Sequence, residues 1–258
     1  MSVKAVFLDF DYTIYSHKKK CIPESAMDAL LRLHEKGIKI ILATGRNFTE
    51  MSIFPQYLEL PFDGFIMMNG QLCTDGSRNK IFANPCKGET LKALVDLFNA
   101  KTMPLVFVEE NSLYINCNSK KVDIANGEIA TVRQTEGKYT GNPLYLAVAY
   151  IKREEEESLK KLVPGISFQR WGDLGTDVVW NDMDKTKGME IFMEKLGLER
   201  EECMAIGDSY NDVGMIKLAG TGIAMGNAVA EAKACADFIT DDIDRDGIAK
   251  ALEHYSLI

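Results

Sequence analysis

No apolar run in these 258 residues approaches the length that a membrane-spanning helix needs. The first residues pass into a strand-like segment without a basic region followed by an apolar signal core. The six cysteines (Cys21, Cys73, Cys86, Cys117, Cys203, Cys235) form no C-x-x-C pair and have no histidine at ligand spacing. That argues against a zinc site or a disulfide frame, and reduced thiols in a cytoplasmic protein are expected. An excess of base is also missing. A net charge of −8 and a pI near 5.1 argue against a nucleic-acid partner, which would want a basic face. The single basic cluster, His17-Lys18-Lys19-Lys20, reads as a solvated loop, and the acidic run 154–157 as an exposed helix face. Internal repeats and low-complexity tracts are lacking too. What remains is a chain with 46% apolar residues, long for one core and comfortable for two domains.

The most informative segment is Lys4-Ala-Val-Phe-Leu-Asp-Phe-Asp-Tyr-Thr13. Ala5 to Leu8 is an unbroken apolar stretch, the pattern of a strand buried on both faces of a parallel sheet. Asp9 and Asp11 follow where open α/β sheets hold their ligands, beyond the carboxyl ends of the strands. Two like charges so close are costly unless a cation balances them or one takes a proton. Mg2+, which favours one or two carboxylates plus substrate phosphate, is the natural partner.

Three later segments share the form of a buried strand or helix start ending in polar residues. Ile38-Lys-Ile-Ile-Leu-Ala precedes Thr44-Gly45-Arg46, where Thr44 can donate to a phosphate oxygen and Gly45 lets its N–H approach closely. Taken alone, Thr44 reads more readily as the N-cap of an ordinary strand-to-helix turn. Thr186-Lys187-Gly188 opens a helix that stops at Gly197. A solvated lysine at a helix start opposes the macrodipole, whereas one facing bound phosphate would be well placed. Cys203-Met-Ala-Ile-Gly ends in Asp208-Ser-Tyr-Asn211-Asp212, which offers Asp208 and Asp212 to a metal and Asn211 to phosphate.

Strand and helix alternate through 23–35, 38–43, 48–58 and 65–68, the rhythm of right-handed parallel crossovers in a doubly wound sheet. Turn signals at Asp75-Gly76 fit a short hairpin over 69–81. The rhythm changes near Asn84-Pro85. A helix over 87–100, a hairpin of 105–108 with 113–117, and a helix over 119–132 follow. A strand over 144–150, a helix over 154–162 and a hairpin of 166–170 with 176–180 complete an α+β unit. Parallel rhythm returns from Lys185. The expected fold is therefore α/β, a Rossmann-like doubly wound core (1–83 and 184–258) with an inserted α+β cap domain (84–183). Strand alternation puts Leu113 and Ile115 on one face and Tyr114 and Asn116 on the other. If the first pair packs on helices, Tyr114 and Asn116 face the site; simple solvent exposure is the alternative.

In this order, the four strand-end motifs resemble those of the haloacid dehalogenase (HAD) superfamily. Asp9 and Asp11 match its nucleophile motif, Thr44 the second, Lys187 the lysine motif, and 207–212 the G-D-x-x-N-D motif. Ala43-Thr-Gly-Arg46, Asn69-Gly70, Gly222-Ile-Ala-Met-Gly-Asn227 and Asp246-Gly247-Ile-Ala resemble its Cof-type branch, and the long insert resembles a type II cap. The resemblance implies a phosphatase that passes the phosphoryl group through Asp9, with Asp11 as acid and base. Mg2+ would sit at Asp9, Asp208, Asp212 and the Asp11 backbone carbonyl, and Thr44, Gly45, Lys187 and Asn211 would surround the phosphate. A halide leaving group needs no acid, so Asp11 favours phosphatase over dehalogenase chemistry.

One position departs from the pattern. Tyr12 stands where the family has glycine, so it either takes an ordinary backbone conformation or bears strain, and its ring can restrict the substrate. With Arg46, Tyr114 and Asn116 it is a candidate for specificity. The resemblance puts sugar phosphates first as substrates, with nucleotides, flavin mononucleotide and pyridoxal phosphate behind. The partner is thus a small phosphorylated metabolite, not nucleic acid or membrane. A phosphomutase with the same motifs and a non-catalytic phosphate-binding or signalling protein remain as alternatives.

Overall fold

The computed structural model describes residues 3–128 and 131–258. β1 (Ala5–Asp9) is buried along its whole length, and its alternation divides it between two cores. Val6 and Leu8 point into one, Ala5 and Phe7 into the other. The chain continues through α1 (Glu24–Glu35), β2 (Lys39–Ala43), α2 (Phe48–Met51), β3 (Gly64–Met67), β4 (Leu72–Asp75) and β5 (Lys80–Ala83). It then builds α3 (Gly88–Ala100), β6 (Leu105–Glu109), β7 (Leu113–Ile115), α4 (Lys120–Glu128), β8 (Thr135–Glu136), β9 (Leu144–Ala149), α5 (Glu156–Leu162), β10 (Ile166–Arg170) and β11 (Thr176–Trp180). The last part runs α6 (Lys185–Leu196), β12 (Cys203–Gly207), α7 (Val213–Leu218), β13 (Thr221–Ala224), α8 (Ala230–Cys235), β14 (Phe238–Ile239) and α9 (Gly247–His254).

Among the described residues the first sheet has eight strands in the order β14-β13-β12-β1-β2-β3-β4-β5. It is parallel from β14 to β3, and β4 and β5 add antiparallel at its edge. α1 and α9 bring Leu30, Leu33, Ile248 and Leu252 against Val6, Leu8, Ile40 and Leu42. α6 and α7 bring Met189, Phe192 and Met215 against Ala5, Phe7 and Ile41 on the opposite face. Each such side chain contributes about 1.5–3 kcal/mol when fully buried. Helices thus cover both faces, and β1 is central, so its carboxyl end lies in the middle of the sheet's ligand-binding edge. The fold is the expected α/β class.

The second sheet has the order β10-β11-β9-β6-β7-β8. On one face Leu105, Phe107, Ala147 and Val178 pack on Leu94 and Phe98 of α3 and Leu159 of α5. The other face turns Val106, Val108, Leu146 and Val179 into the core shared with the first sheet. The two connections between the sheets touch one another, with Trp180 Nε1 donating to the Asn84 carbonyl at 3.0 Å.

Several local expectations shift. The helix expected over 48–58 is α2 followed by a 3₁₀ turn at Pro55–Glu59, since Pro55 lacks the N–H that would continue it. α4 ends at Glu128, and positions 129 and 130 of the expected helix lie outside the described residues. The face assignment for Tyr114 and Asn116 is corrected. Tyr114 lies on the helix-covered face and donates to Glu109 Oε1 at 2.7 Å. The Asn116 amide accepts from the Leu105 N–H at 2.9 Å and donates to the Phe98 and Met103 carbonyls at 3.0 Å. Both are structural, and Leu113 faces the cleft instead.

Candidate active site

Asp9 ends β1 and Asp208 follows β12, so the parallel pairing of these strands brings both carboxylates to one edge. Asp212 joins them because the turn after β12 folds back, with its Oδ2 accepting the N–H groups of Asp208 (3.0 Å) and Ser209 (2.9 Å). Asp9, Asp208 and Asp212 each offer an oxygen within 4.8 Å of the others, and all are buried. Lys185, fully buried at the start of α6, donates to Asp9 and, at 2.7 Å, to Asp212 Oδ1. Thr13 donates to Asp208 Oδ1 at 3.2 Å.

Three carboxylates against one ammonium leave uncompensated negative charge. Desolvation, then the Asp212 charge, raises the Asp9 carboxyl to about 7 against the pull of Lys185. Desolvation and the charges of Asp9 and Asp212 also raise Asp208 well above the carboxylate range. Burial would lower Lys185, yet its two acid partners hold its ammonium above the ordinary lysine range. Hard oxygen donors with surplus negative charge fit Mg2+.

Asp11 points elsewhere. Arg46 grips it with two bonds of 2.7 Å, Nε to Oδ2 and Nη2 to Oδ1, and His17 Nε2 lies 2.6 Å from Oδ1. Burial alone would raise this carboxyl, but Arg46 and the His17 contact outweigh it and hold it well below the carboxylate range. The Asp11 side chain therefore lies outside the three-carboxylate group. Tyr12 takes the left-handed conformation (φ 61°), the strained option, and its ring lies 4.5 Å from that of His17 at the cleft mouth.

The lysine assignment is corrected. Lys187 sends its amine to the Asn181 carbonyl at 3.5 Å, away from the carboxylates. Asp184 caps α6 by accepting the Lys187 N–H at 2.9 Å, which makes Lys185 the first helical residue. Residues two apart on a helix diverge by about 200°, so only one of these lysines can face inward. Asp184, a residue type favoured at the N-cap, was the available signal for this phase. Gly188 lets α6 approach β3, since a Cβ there would lie 2.4 Å from Ile66 Cγ2.

The loop after β2 completes this side. Thr44 is buried, with its Oγ1 accepting the Arg46 N–H at 3.2 Å, and Gly45 lines the cleft. Asn211 lines it too and donates to Asn69 Oδ1 at 3.2 Å. The cleft holds about 920 Å³ out to its open mouth. Its floor is Asp9, Asp11 and Asp208, and the second sheet with its β10–β11 turn supplies Leu113, Val148, Trp171 and Asp177 to its roof.

The haloacid dehalogenase-like hydrolase family matches residues 6–252. This chain belongs to that family. It is 32% identical over 261 residues to the Bacillus subtilis (strain 168) protein YkrA, covering 100% of both. Among solved structures, BT1666 from Bacteroides thetaiotaomicron, described among phosphatases of the HAD superfamily, superposes with a TM-score of 0.90 at 28% identity. That match covers 100% of this chain and 96% of the other. The HAD subclass IIB sugar phosphatase BT4131 does so at 0.86 and 32%, covering 99% and 100%. This HAD member is a phosphatase that acts on small phosphate substrates. No helix among the described residues is long and apolar enough to cross a membrane.

Proposed function

We propose that this phosphatase hydrolyses small phosphate monoesters with Mg2+, through transient transfer of the phosphoryl group to Asp9. The supporting observation is the buried cluster in which Asp9 meets Lys185, Asp208 and Asp212 at the floor of the cleft. Mg2+ held by Asp9, Asp208 and the Asp11 carbonyl, with Asp212 beside them, would neutralise phosphate charge and keep Asp9 ionised. Asp9 then attacks phosphorus, which splits a very slow hydrolysis into two steps. Lys185, the Gly45 N–H, Thr44 and Asn211 surround the transferring oxygens, where the transition-state charge is spread. Asp11, held ionised by Arg46, is suited to take the proton of the attacking water in the second step. To give a proton to the leaving alkoxide in the first step, the same carboxyl must arrive protonated, which requires the Arg46 contact to loosen as the ester binds.

Residues 84–183 act as the cap, and closing it over the bound ester excludes bulk water during phosphoryl transfer to Asp9. Sugar phosphates head the candidate esters, on the likeness to the sugar phosphatase BT4131. Phosphate release from a panel of esters, with Mg2+ and with excess chelator, tests the reading. Full activity in chelator removes the metal from it. Return of phosphate to a sugar hydroxyl instead of water assigns a phosphomutase.

A further inference from the structure

Asp177 belongs to β11 of the second sheet, is 8% exposed, and has no part in the chemistry above. Its Oδ1 accepts the Trp171 Nε1–H at 3.0 Å. Its Oδ2 accepts from Asn69 Nδ2 at 2.6 Å, across to the turn after β3 of the first sheet. Asn69 in turn accepts from Asn211 Nδ2 at 3.2 Å. Burial raises the Asp177 carboxyl to about 7. In its ionised form it only accepts, from Trp171 on one oxygen and Asn69 on the other, so Asn69 then presents its nitrogen to Asp177 and its oxygen to Asn211. Asn211 must then present its nitrogen, whose second N–H stays available to the cleft that Asn211 lines. Without Asp177 either amide can turn over, and Asn211 could show the cleft an acceptor that repels phosphate.

Two features fit this arrangement. A Cβ on Gly45 would come 3.0 Å from Asp177 Oδ2, so the glycine of the phosphate loop is also what admits the acid. Asn69 holds a left-handed backbone (φ 52°) and is fully buried, which fixes its amide between the two sheets.

We infer that Asp177 is a positioning residue of the phosphate site. It orients Asn69, and through it the Asn211 N–H, so that full phosphate affinity exists only while the second sheet is seated on the first. The inference rests on the phosphatase reading and adds to it a route by which the cap acts on phosphate itself, separate from any contact with the leaving group.

Calorimetric titration of the whole chain with inorganic phosphate in the presence of Mg2+ tests it, beside KM for esters with different leaving groups. Asp177→Ala should weaken phosphate about tenfold, the loss of one hydrogen bond to a charged group. KM should rise by a similar factor whatever the leaving group, with kcat changed less. In an Asn211→Ala background the same change should cost under about twofold, because the partner it aims is gone. Should Asp177→Ala not fold, Asn69→Gly, which suits the left-handed backbone, cuts the same chain and should behave alike. Equal losses in both backgrounds, a loss that depends on the leaving group, or a wild type that does not bind phosphate each overturn the inference. If the wild type binds phosphate yet turns over no ester, the phosphatase reading fails and the titration still decides the role of Asp177.

Discussion

Replacing Lys185 with methionine separates two lysines that lie two residues apart. The ammonium is fully buried between Asp9 and Asp212, so its removal strands two acids in a low-dielectric site. Breaking a buried ion pair from one side costs about 3–5 kcal/mol. For a chain of this size that lowers Tm by roughly 6–20 °C. Activity should fall further. Without metal Asp9 already sits at about 7 with Lys185 beside it, and loss of that positive neighbour moves it higher. Bound Mg2+ offsets that rise, so the rate reports the preorganised charge lost at the transferring phosphoryl group, a factor of about 10²–10³. Phosphate release at saturating ester and Mg2+ should therefore drop at least about 10²-fold. Lys187→Met should stay within about twofold in rate and about 0.5 kcal/mol in stability, as for a surface change. A Lys187 variant that loses activity, with a Lys185 variant that keeps more than a tenth, would refute this phase of α6.

Further outcomes follow from the same geometry. Asp9→Asn should abolish turnover and leave no hydroxylamine-sensitive phosphoenzyme on gel analysis, since an amide oxygen is a poor nucleophile. Asp11→Asn should lose alkyl phosphates far more than aryl phosphates, whose leaving groups need less protonation; equal loss on both counts against an acid role. Asp9 and Asp208 have folded pKa values above their unfolded values, so without metal they favour folding at low pH. That contribution should fade as pH rises from about 4 through about 7, and Mg2+ should raise Tm more at pH 8 than at pH 5. A shift independent of pH would contradict this. Gly188→Ala should cost about 1–3 kcal/mol by pushing α6 off Ile66, and should lower kcat by withdrawing Lys185, with melting and turnover measured together.

The parts of the site that were legible in the sequence are those whose position is fixed locally. Ala5 to Leu8 can only be a strand buried on both faces, so Asp9 had to emerge at a sheet edge, and the same holds for Asp208 after β12. Lys185 escapes a reading that opens the helix at Thr186, because a helix rotates about 100° per residue and a small error of phase turns a different lysine inward. Tyr114 and Asn116 were turned the wrong way for another reason. Alternation separates two faces of a strand without saying which one helices will cover, and here α3 and α5 cover theirs. Asn69, Trp171 and Asp177 were beyond local reading, since Asn69 and Asp177 meet across 108 positions. A signal was nevertheless present in Thr176-Asp-Val-Val-Trp180, a strand whose single acid sits among buried neighbours. A carboxylate kept in such a place must find donors, and the donors it finds define which surfaces are built to meet. In this chain they belong to Trp171, in the turn before its own strand, and Asn69, after β3 of the other sheet. The acid that looks least suited to its strand is therefore one that carries a hydrogen bond from the roof of the cleft to the core beneath it.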